Sequence, residues 1–301
     1  MRGWKLAWVL ALVLIPSPGC ARLIAGGLVA SQALTPISDD QEIAMGAAAV
    51  RQITASPDFH LYAEPQVNAY VTRIGREMAA QTSRPRLPWQ FIVQDSPTMS
   101  AFALPGGFVF VTTGSLKAMT NTAELAGVLG HECSHVAVKD GIQQVKEQLI
   151  AQGVLISALG ESPQVAQLAG DIAATVVLRG YSREAEYRAD CNGAIAMSRA
   201  GYDPHELVHF LQVLAQLPPE TPSWLGALAT HPTAPDRIAR LTQEIASRHL
   251  EGRLVEAPEF QAAMAPLTGG GAARTRRCCP HPGRSPLRFG RRGPRPGSCK
   301  C

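Results

Sequence analysis

In a chain of 301 residues, 46% hydrophobic and 17% charged amino acids supply enough apolar material for one large or two small globular domains, which excludes a disordered polypeptide. The formal charge of +4 arises at one end: residues 271–301 hold eight Arg and one Lys without an acid, leaving 19 basic against 24 acidic residues before them, a net of −5. A mildly acidic body excludes a nucleic-acid surface as its organising feature, and no nucleic-acid partner is expected.

Residues 1–20, MRGWKLAWVLALVLIPSPGC, read as a secretory signal. Arg2 and Lys5 give the charged start, residues 6–15 the apolar middle, and small residues precede Cys20. The apolar run is too short to favour a spanning helix. Residues 17–20 resemble a bacterial lipoprotein cleavage box with Cys20 as the lipidated position, although Ser17 stands where Leu is usual and Pro18 is atypical. Ordinary cleavage near Cys20 is the alternative. The expectation is export to the bacterial cell envelope, a periplasmic location, and a lipid anchor in the outer membrane. Residues 21–36 are small and apolar and suit a tether.

Apolar spacing predicts a first helix over 37–53, with Ser38-Asp39-Asp40-Gln41 as its capping start, and a second over 67–78. Pro85 and Pro88 break the chain before a strand at 89–93, and Asp95-Ser96-Pro97 turns it. In AFALPGGFVFVTTGSL, 101–116, Pro105-Gly106-Gly107 is a turn feeding a β-rich stretch at 108–112. That stretch is either half of a plain hairpin or an edge strand onto which an extended peptide adds by backbone pairing.

Residues 121–140, NTAELAGVLGHECSHVAVKD, read as a helix with Asn121 and Glu124 as a capping pair. His131 and His135 stand at i and i+4, one above the other on one face, so both can reach a single ion. Glu132 lies about 100° round and can reach water at that ion rather than the ion itself. Two imidazoles and one further protein ligand on zinc leave a fourth position open, and zinc brings the pKa of water to about 7. The pattern is that of a peptidase site. Cys133 faces away from that side and, like Cys191, suits a small core position.

The same pentad recurs as HELVH at 205–209. There Asp203 reads as an N-cap, Pro204 as the first helical residue and Glu206 as the return arm of a capping box, which puts His205 in an exposed first turn. Context therefore favours the first copy.

Residues 141–180 hold two helices separated at 160–163; this segment either roofs the site, lies on a membrane surface or packs in the core. A helix follows from about Ser182, with Glu186 and Asp190 at i and i+4. These carboxylates are either a metal ligand with a partner that orients an imidazole, or a solvated face paired with Arg183 and Arg188. Stretches 201–217 and 235–250 read as two further helices. Residues 266–301, rich in Gly, Pro and Arg, cannot bury a core and read as a disordered basic tail.

Four motifs in order, AFALPGG, ELAGVLGHECSH, YSREAEYRAD and ATHPTAPDRI, resemble metallopeptidase family 48, whose members include the HtpX-type, Oma-type and CAAX prenyl peptidases. The resemblance spans about residues 37–247 and is greatest to exported bacterial members that police envelope proteins. It departs from some of these in having no room for a helical repeat domain. It implies an α+β, mostly α-helical, gluzincin-like domain over 37–265 with a small β-sheet beside the metal helix. It further implies one zinc per chain on His131, His135 and Glu186, with Glu132 as general base and Asp190 hydrogen-bonded to a ligand histidine. His231 would lie close to the metal, as oxyanion stabiliser or as a latch on the open position; Arg237 in the same motif is read as structural. The function expected is a zinc endopeptidase acting on unfolded or misfolded envelope proteins. The rival is a non-catalytic, chaperone-like lipoprotein that binds peptides in the same groove.

Overall fold

The computed structural model describes residues 35–160, 162–176, 180–216 and 235–268. Helix α1 (Asp39–Thr54) opens on Ser38, whose hydroxyl accepts the Gln41 N–H while the Gln41 side chain accepts the Ser38 N–H. Two otherwise orphaned donors are thus satisfied. Helix α2 (Pro65–Ala80) begins on a proline, whose fixed φ and missing N–H suit a first turn. Its Val67, Val71, Ile74 and Met78 recur along one face, and all are buried.

Strands β1 (Gln90–Gln94), β2 (Ala101–Leu104) and β3 (Phe108–Thr112) form one sheet in the order β1-β3-β2, with β1 parallel and β2 antiparallel to β3. The 108–112 stretch is therefore the central strand and not the edge strand that one reading of the sequence allowed. Its residues explain why. Phe108, Val109, Phe110 and Val111 are all buried, and an unbroken apolar run suits a strand covered on both faces. Val109 and Val111 join Phe91 and Val93 in one apolar cluster, whereas Phe108 and Phe110 join Phe102 and Leu104 in another. The turn between β2 and β3 holds Gly106 and Gly107 at φ 82° and 98°. A β-carbon on Gly106 would also come within 2.7 Å of the Ile43 Cα.

After the short α3 (Thr113–Ala118), helix α4 (Thr122–Ala137) runs through the middle of the body. Asn121 caps it, its side-chain oxygen accepting the Glu124 N–H at 2.9 Å. Nearly every residue of α4 is buried, as befits a helix with α2, β2 and later helices packed around it. Edge strand β2 lies against it. Helices α5 (Asp140–Ala151) and α6 (Pro163–Val176), joined through a 3-10 turn at Ile156–Gly160, cover the other face of the sheet. Val145, Leu149 and Ile172 meet Met45 and Ala49 of α1 there. Of the three placements open for 141–180, core packing is the one observed, and no helix among the described residues is long and apolar enough to cross a membrane.

Helix α7 (Arg183–Ala200) is capped by Ser182 and stopped by Gly201 at φ 87°. Helices α8 (His205–Ala215), α9 (Pro235–Ser247) and α10 (Ala257–Met264) complete the body. The sequence reading assigned no element to α10. Its signal was there: Pro258 in the first turn, then Phe260, Ala263 and Met264 on one face, all buried. Phe260 meets Tyr70 edge to face at 6.3 Å, and Leu267 just beyond the helix is buried as well. The architecture is α+β and mostly helical, with a small sheet beside α4.

One partly buried guanidinium ties distant parts together. Arg84 donates to Glu42 at 3.0 and 2.8 Å, to Asp39 at 2.7 Å and to the Val136 carbonyl at 3.0 Å. Glu42, fully buried, also accepts the Gly106 N–H at 3.0 Å. A carboxylate so placed requires such partners. α1, the β2–β3 turn and the last turn of α4 are joined through it.

Candidate metal centre

Helix periodicity puts His131 and His135 on one side of α4, and their Nε2 atoms face one another at 3.1 Å. Helix α7 brings the third donor. Glu186, Asp190 and Gly193 recur at i, i+4 and i+7, which turns all three toward α4. Gly193 sets the approach: a β-carbon there would lie 3.1 Å from the His131 amide nitrogen and 3.3 Å from its Cα. Glu186 consequently places Oε2 at 3.6 Å from His131 Nε2 and Oε1 at 3.5 Å from His135 Nε2. All three residues are buried.

Each imidazole is held from behind by a carboxylate. His131 Nδ1 lies 2.9 Å from Asp190 Oδ1, and His135 Nδ1 lies 2.8 Å from Asp140 Oδ2. A carboxylate accepts, so each Nδ1 carries its proton and each Nε2 turns a lone pair toward the other ring. Two lone pairs and a carboxylate thus converge on one point, an arrangement that calls for a cation. Tetrahedral zinc with Zn–N bonds of about 2.0–2.1 Å sets its nitrogens roughly 3.3 Å apart, close to the spacing found. The donor set fits a divalent metal.

Asp140 is the functional residue that sequence reasoning missed. It follows Lys139, which is held at φ 63°, so the chain doubles back and the first residue of α5 meets His135. Arg188 of α7 donates to the other Asp140 oxygen. The available signal was an acid five positions after the second histidine. Tyr181 stacks on the His135 ring, centroids 4.0 Å apart and 17° from parallel, and fixes its plane. Burial, then the nearby Glu132 charge, pushes the Tyr181 phenol well up, so it stays protonated.

Arg237, on α9, was read as structural, and what it holds is this site. Its Nε and Nη2 donate to the two Asp190 oxygens at 2.8 and 2.7 Å, a bidentate pairing, while Nη1 lies 2.8 Å from Glu186 Oε2. Burial alone would raise the Asp190 carboxyl, but the hydrogen bonds from Arg237 and His131 outweigh it and hold the group below its usual range. Burial lowers the His131 pKa, which favours the neutral imidazole that a metal requires.

Glu132 is buried and lines a recess beside His131 with Val128 and residues of α8. Cys133, also buried, belongs to the apolar core, and burial raises its thiol pKa. The expectation for His231 falls on residues 217–234, outside the described residues, as do the signal at 1–20, most of the tether and residues 269–301.

The second pentad is built differently. His205 is 61% exposed and pairs with Asp203, whose Oδ1 also accepts the His205 N–H. Glu206 does not return to the cap backbone as expected; its carboxylate accepts from Asn121 at 2.8 Å, because α8 leans on the start of α4. His209 approaches Glu124 at 2.6 Å. Glu124, Glu206 and His209 come within 4.8 Å of one another, but His205 takes no part. The histidines of this copy do not face a common point.

Comparison with known proteins gives this geometry a setting. The profile of Peptidase family M48 matches residues 65–245. The beta-barrel assembly-enhancing protease of Yersinia pestis is 32% identical over 259 residues, 78% of this chain and 52% of that protein. The protein of that name from Escherichia coli (strain K12) is 28% identical over 219 residues, 67% of this chain and 43% of its own length. The mitochondrial metalloendopeptidase OMA1 of Schizosaccharomyces pombe is 28% identical over 174 residues, 58% of this chain and 52% of that protein. The chain spans about half the length of these relatives.

Proposed function

The chain belongs to peptidase family M48, and on that premise we propose that it is a zinc endopeptidase, with one metal per chain, that cleaves extended or misfolded proteins of the bacterial envelope. The observation that carries this reading is the convergence of the His131 and His135 Nε2 atoms with the Glu186 carboxylate, each imidazole fixed by its own acid. Held by those three residues, zinc supplies Lewis acidity toward a peptide carbonyl and a water molecule. Glu132, buried beside His131, takes the proton of the attacking water and returns it to the leaving amine. Asp190 and Asp140 keep both Nδ1 atoms protonated, so the Nε2 lone pairs stay aimed at the metal. Arg237 offsets the negative charge that Asp190 and Glu186 gather in a buried place. An extended substrate adds as a strand to the outer edge of β2, the strand beside α4.

His231 is proposed as a donor to the oxyanion or as a latch on the open metal position. A His231→Ala variant separates the two: lowered proteolysis marks the donor, raised proteolysis the latch. The envelope setting is supported by the signal-like residues 1–20 and by relatives named beta-barrel assembly-enhancing proteases. On this reading Cys20 carries the lipid that holds the protein at the outer membrane, and unfolded envelope proteins are its partners.

Metal analysis of the purified protein, with casein degradation before and after chelation, tests the function. About one zinc per chain and chelator-sensitive cleavage are expected. Glu132→Gln should keep its zinc and lose turnover. A chaperone-like binder would be indifferent to that change, and retained cleavage by this variant would sink the assignment of the base.

A further inference from the structure

Helix α8 carries Glu206-Leu207-Val208-His209, so Glu206 and His209 stand at i and i+3 and project from one side. Glu124, from the first turn of α4, meets them there. His209 Nδ1 lies 2.6 Å from Glu124 Oε1 and 3.8 Å from Glu206 Oε2. We propose that these three side chains form a second metal site, apart from His131, His135 and Glu186, that takes a divalent first-row ion. Filled, it braces the start of α8 against the start of α4.

Donor type, spacing and support carry the assignment. Two carboxylates and one imidazole are ligand types that such ions take. A Glu from one helix with a Glu-x-x-His pair from its neighbour is one ion's share of the donor sets built between helices. Bonds of about 2.0–2.2 Å put neighbouring donors roughly 3.0–3.4 Å apart, a spacing that falls between the two distances found. Residues outside the trio aim two of its members. Asn121 donates its amide to the Glu206 carboxylate at 2.8 Å. Thr120 donates its N–H and its hydroxyl to Glu124 Oε2, which leaves Oε1 turned to His209. His131 and His135 are likewise held from outside, each by an acid. Charge points the same way. Glu124 is fully buried and Glu206 lies beside it, so a divalent ion balances both acids where one imidazolium balances a single charge. His209 is half exposed, so its ring can swing to open the 2.6 Å contact. The ion then replaces the proton shared by His209 and Glu124, which leaves to solvent, and water completes the coordination. Glu124 stands seven residues before His131, about 10 Å along α4, too far for the two sites to share a ligand.

The test adds Mn²⁺ to the full chain whose first site is already loaded with zinc. Mn²⁺ stands below zinc in affinity for a given site, so it does not displace that ion, and it has little affinity for the thiols of Cys278, Cys279, Cys299 and Cys301. Electron paramagnetic resonance counts the Mn²⁺ left free. About one bound Mn²⁺ per chain is expected, and the thermal midpoint should climb as the site fills. His209→Ala and Glu206→Gln, both at positions open to solvent, should each lose the bound Mn²⁺ and the climb while zinc content stays unchanged. His205→Ala should bind Mn²⁺ as the parent does. A parent that binds none has only an ion pair between a protonated His209 and its acids, which overturns the site. Binding that survives both variants, or that vanishes in His205→Ala, overturns it too. Zinc content and peptide cleavage report on the first site separately. A parent without bound Mn²⁺ therefore leaves the peptidase reading standing, and a chain that cuts no peptide still holds Mn²⁺ if the second site is real.

Discussion

Gly193 of α7 lies so close to His131 of α4 that a β-carbon added to it would stand 3.1 Å from the His131 amide nitrogen. The neighbouring atoms are backbone and cannot rotate aside. Gly193→Ala should therefore push α7 outward, and Glu186 and Asp190 with it, costing about 1–3 kcal/mol of stability as overpacking does. Zinc affinity should fall as well, read by competition with a chromophoric chelator. Wild-type affinity in a folded Gly193→Ala protein would show that α7 is not positioned by this contact.

Asp140 should matter to the metal as much as Asp190 does. Either Asp→Asn change keeps an acceptor behind the imidazole but removes its charge. A loss of about 10–100-fold in zinc affinity is expected for each. Titration of the two variants side by side checks the equivalence; a silent Asp140→Asn would leave His135 oriented by Tyr181 alone.

Removing the Arg237 guanidinium leaves Asp190 and Glu186 buried without their counter-charge. Arg237→Met should destabilise the metal-free protein by about 3–5 kcal/mol, the usual result of breaking a buried pair from one side. Added zinc should recover part of this, because the ion supplies positive charge beside Glu186. Denaturant midpoints with and without zinc give the comparison, and equal losses in both states would contradict it.

Acid should unfold the metal-free protein in two stages. Burial holds the folded pKa of His131 below its ordinary 6.5. Despite burial, Arg237 and His131 hold that of Asp190 below 3.8. Both folded values lie under the unfolded ones, so the stabilisation is present above the unfolded pKa and is lost as pH falls through the folded one. The urea midpoint of chelated protein should be flat down to about pH 7, decline below about 6.5 and decline again below about 4. A midpoint constant from pH 7 to 5 would remove the His131 contribution.

The second pentad should bind nothing that turnover needs. His205→Ala should leave zinc stoichiometry and casein cleavage within error of the parent, since among the described residues the His205 side chain hydrogen-bonds its own loop acid, Asp203. Glu206→Gln should likewise retain one zinc. Loss of the metal in either would transfer the centre to α8.

What could be read from the chain depended on how local its cause was. The capping box at Ser38, the placing of His131 and His135 on one side of α4 and the shared face of Glu186 and Asp190 each follow from a few consecutive residues. Even there, the acids of α7 alone could not be told from a solvated face; Gly193, which carries the close approach, gave no sign on its own. Strand β3 was harder, because its place between β1 and β2 depends on helices that cover both faces of the sheet. Asp140 carried only its spacing from His135 as a signal, because its approach to that ring turns on a left-handed backbone at Lys139, an unusual conformation for a long side chain. Arg237 reaches Asp190 across 47 residues of chain, and no periodicity reports on that.

The Arg84 clamp has a mechanical corollary. Because the same guanidinium grips Asp39 and Glu42 near the start of α1 and the Val136 carbonyl one residue past His135, tension on the chain ahead of Ser38 is delivered to the helix that carries both imidazoles. A protein moored by its beginning would thus feel drag on the mooring as a load on the helix that bears His131 and His135.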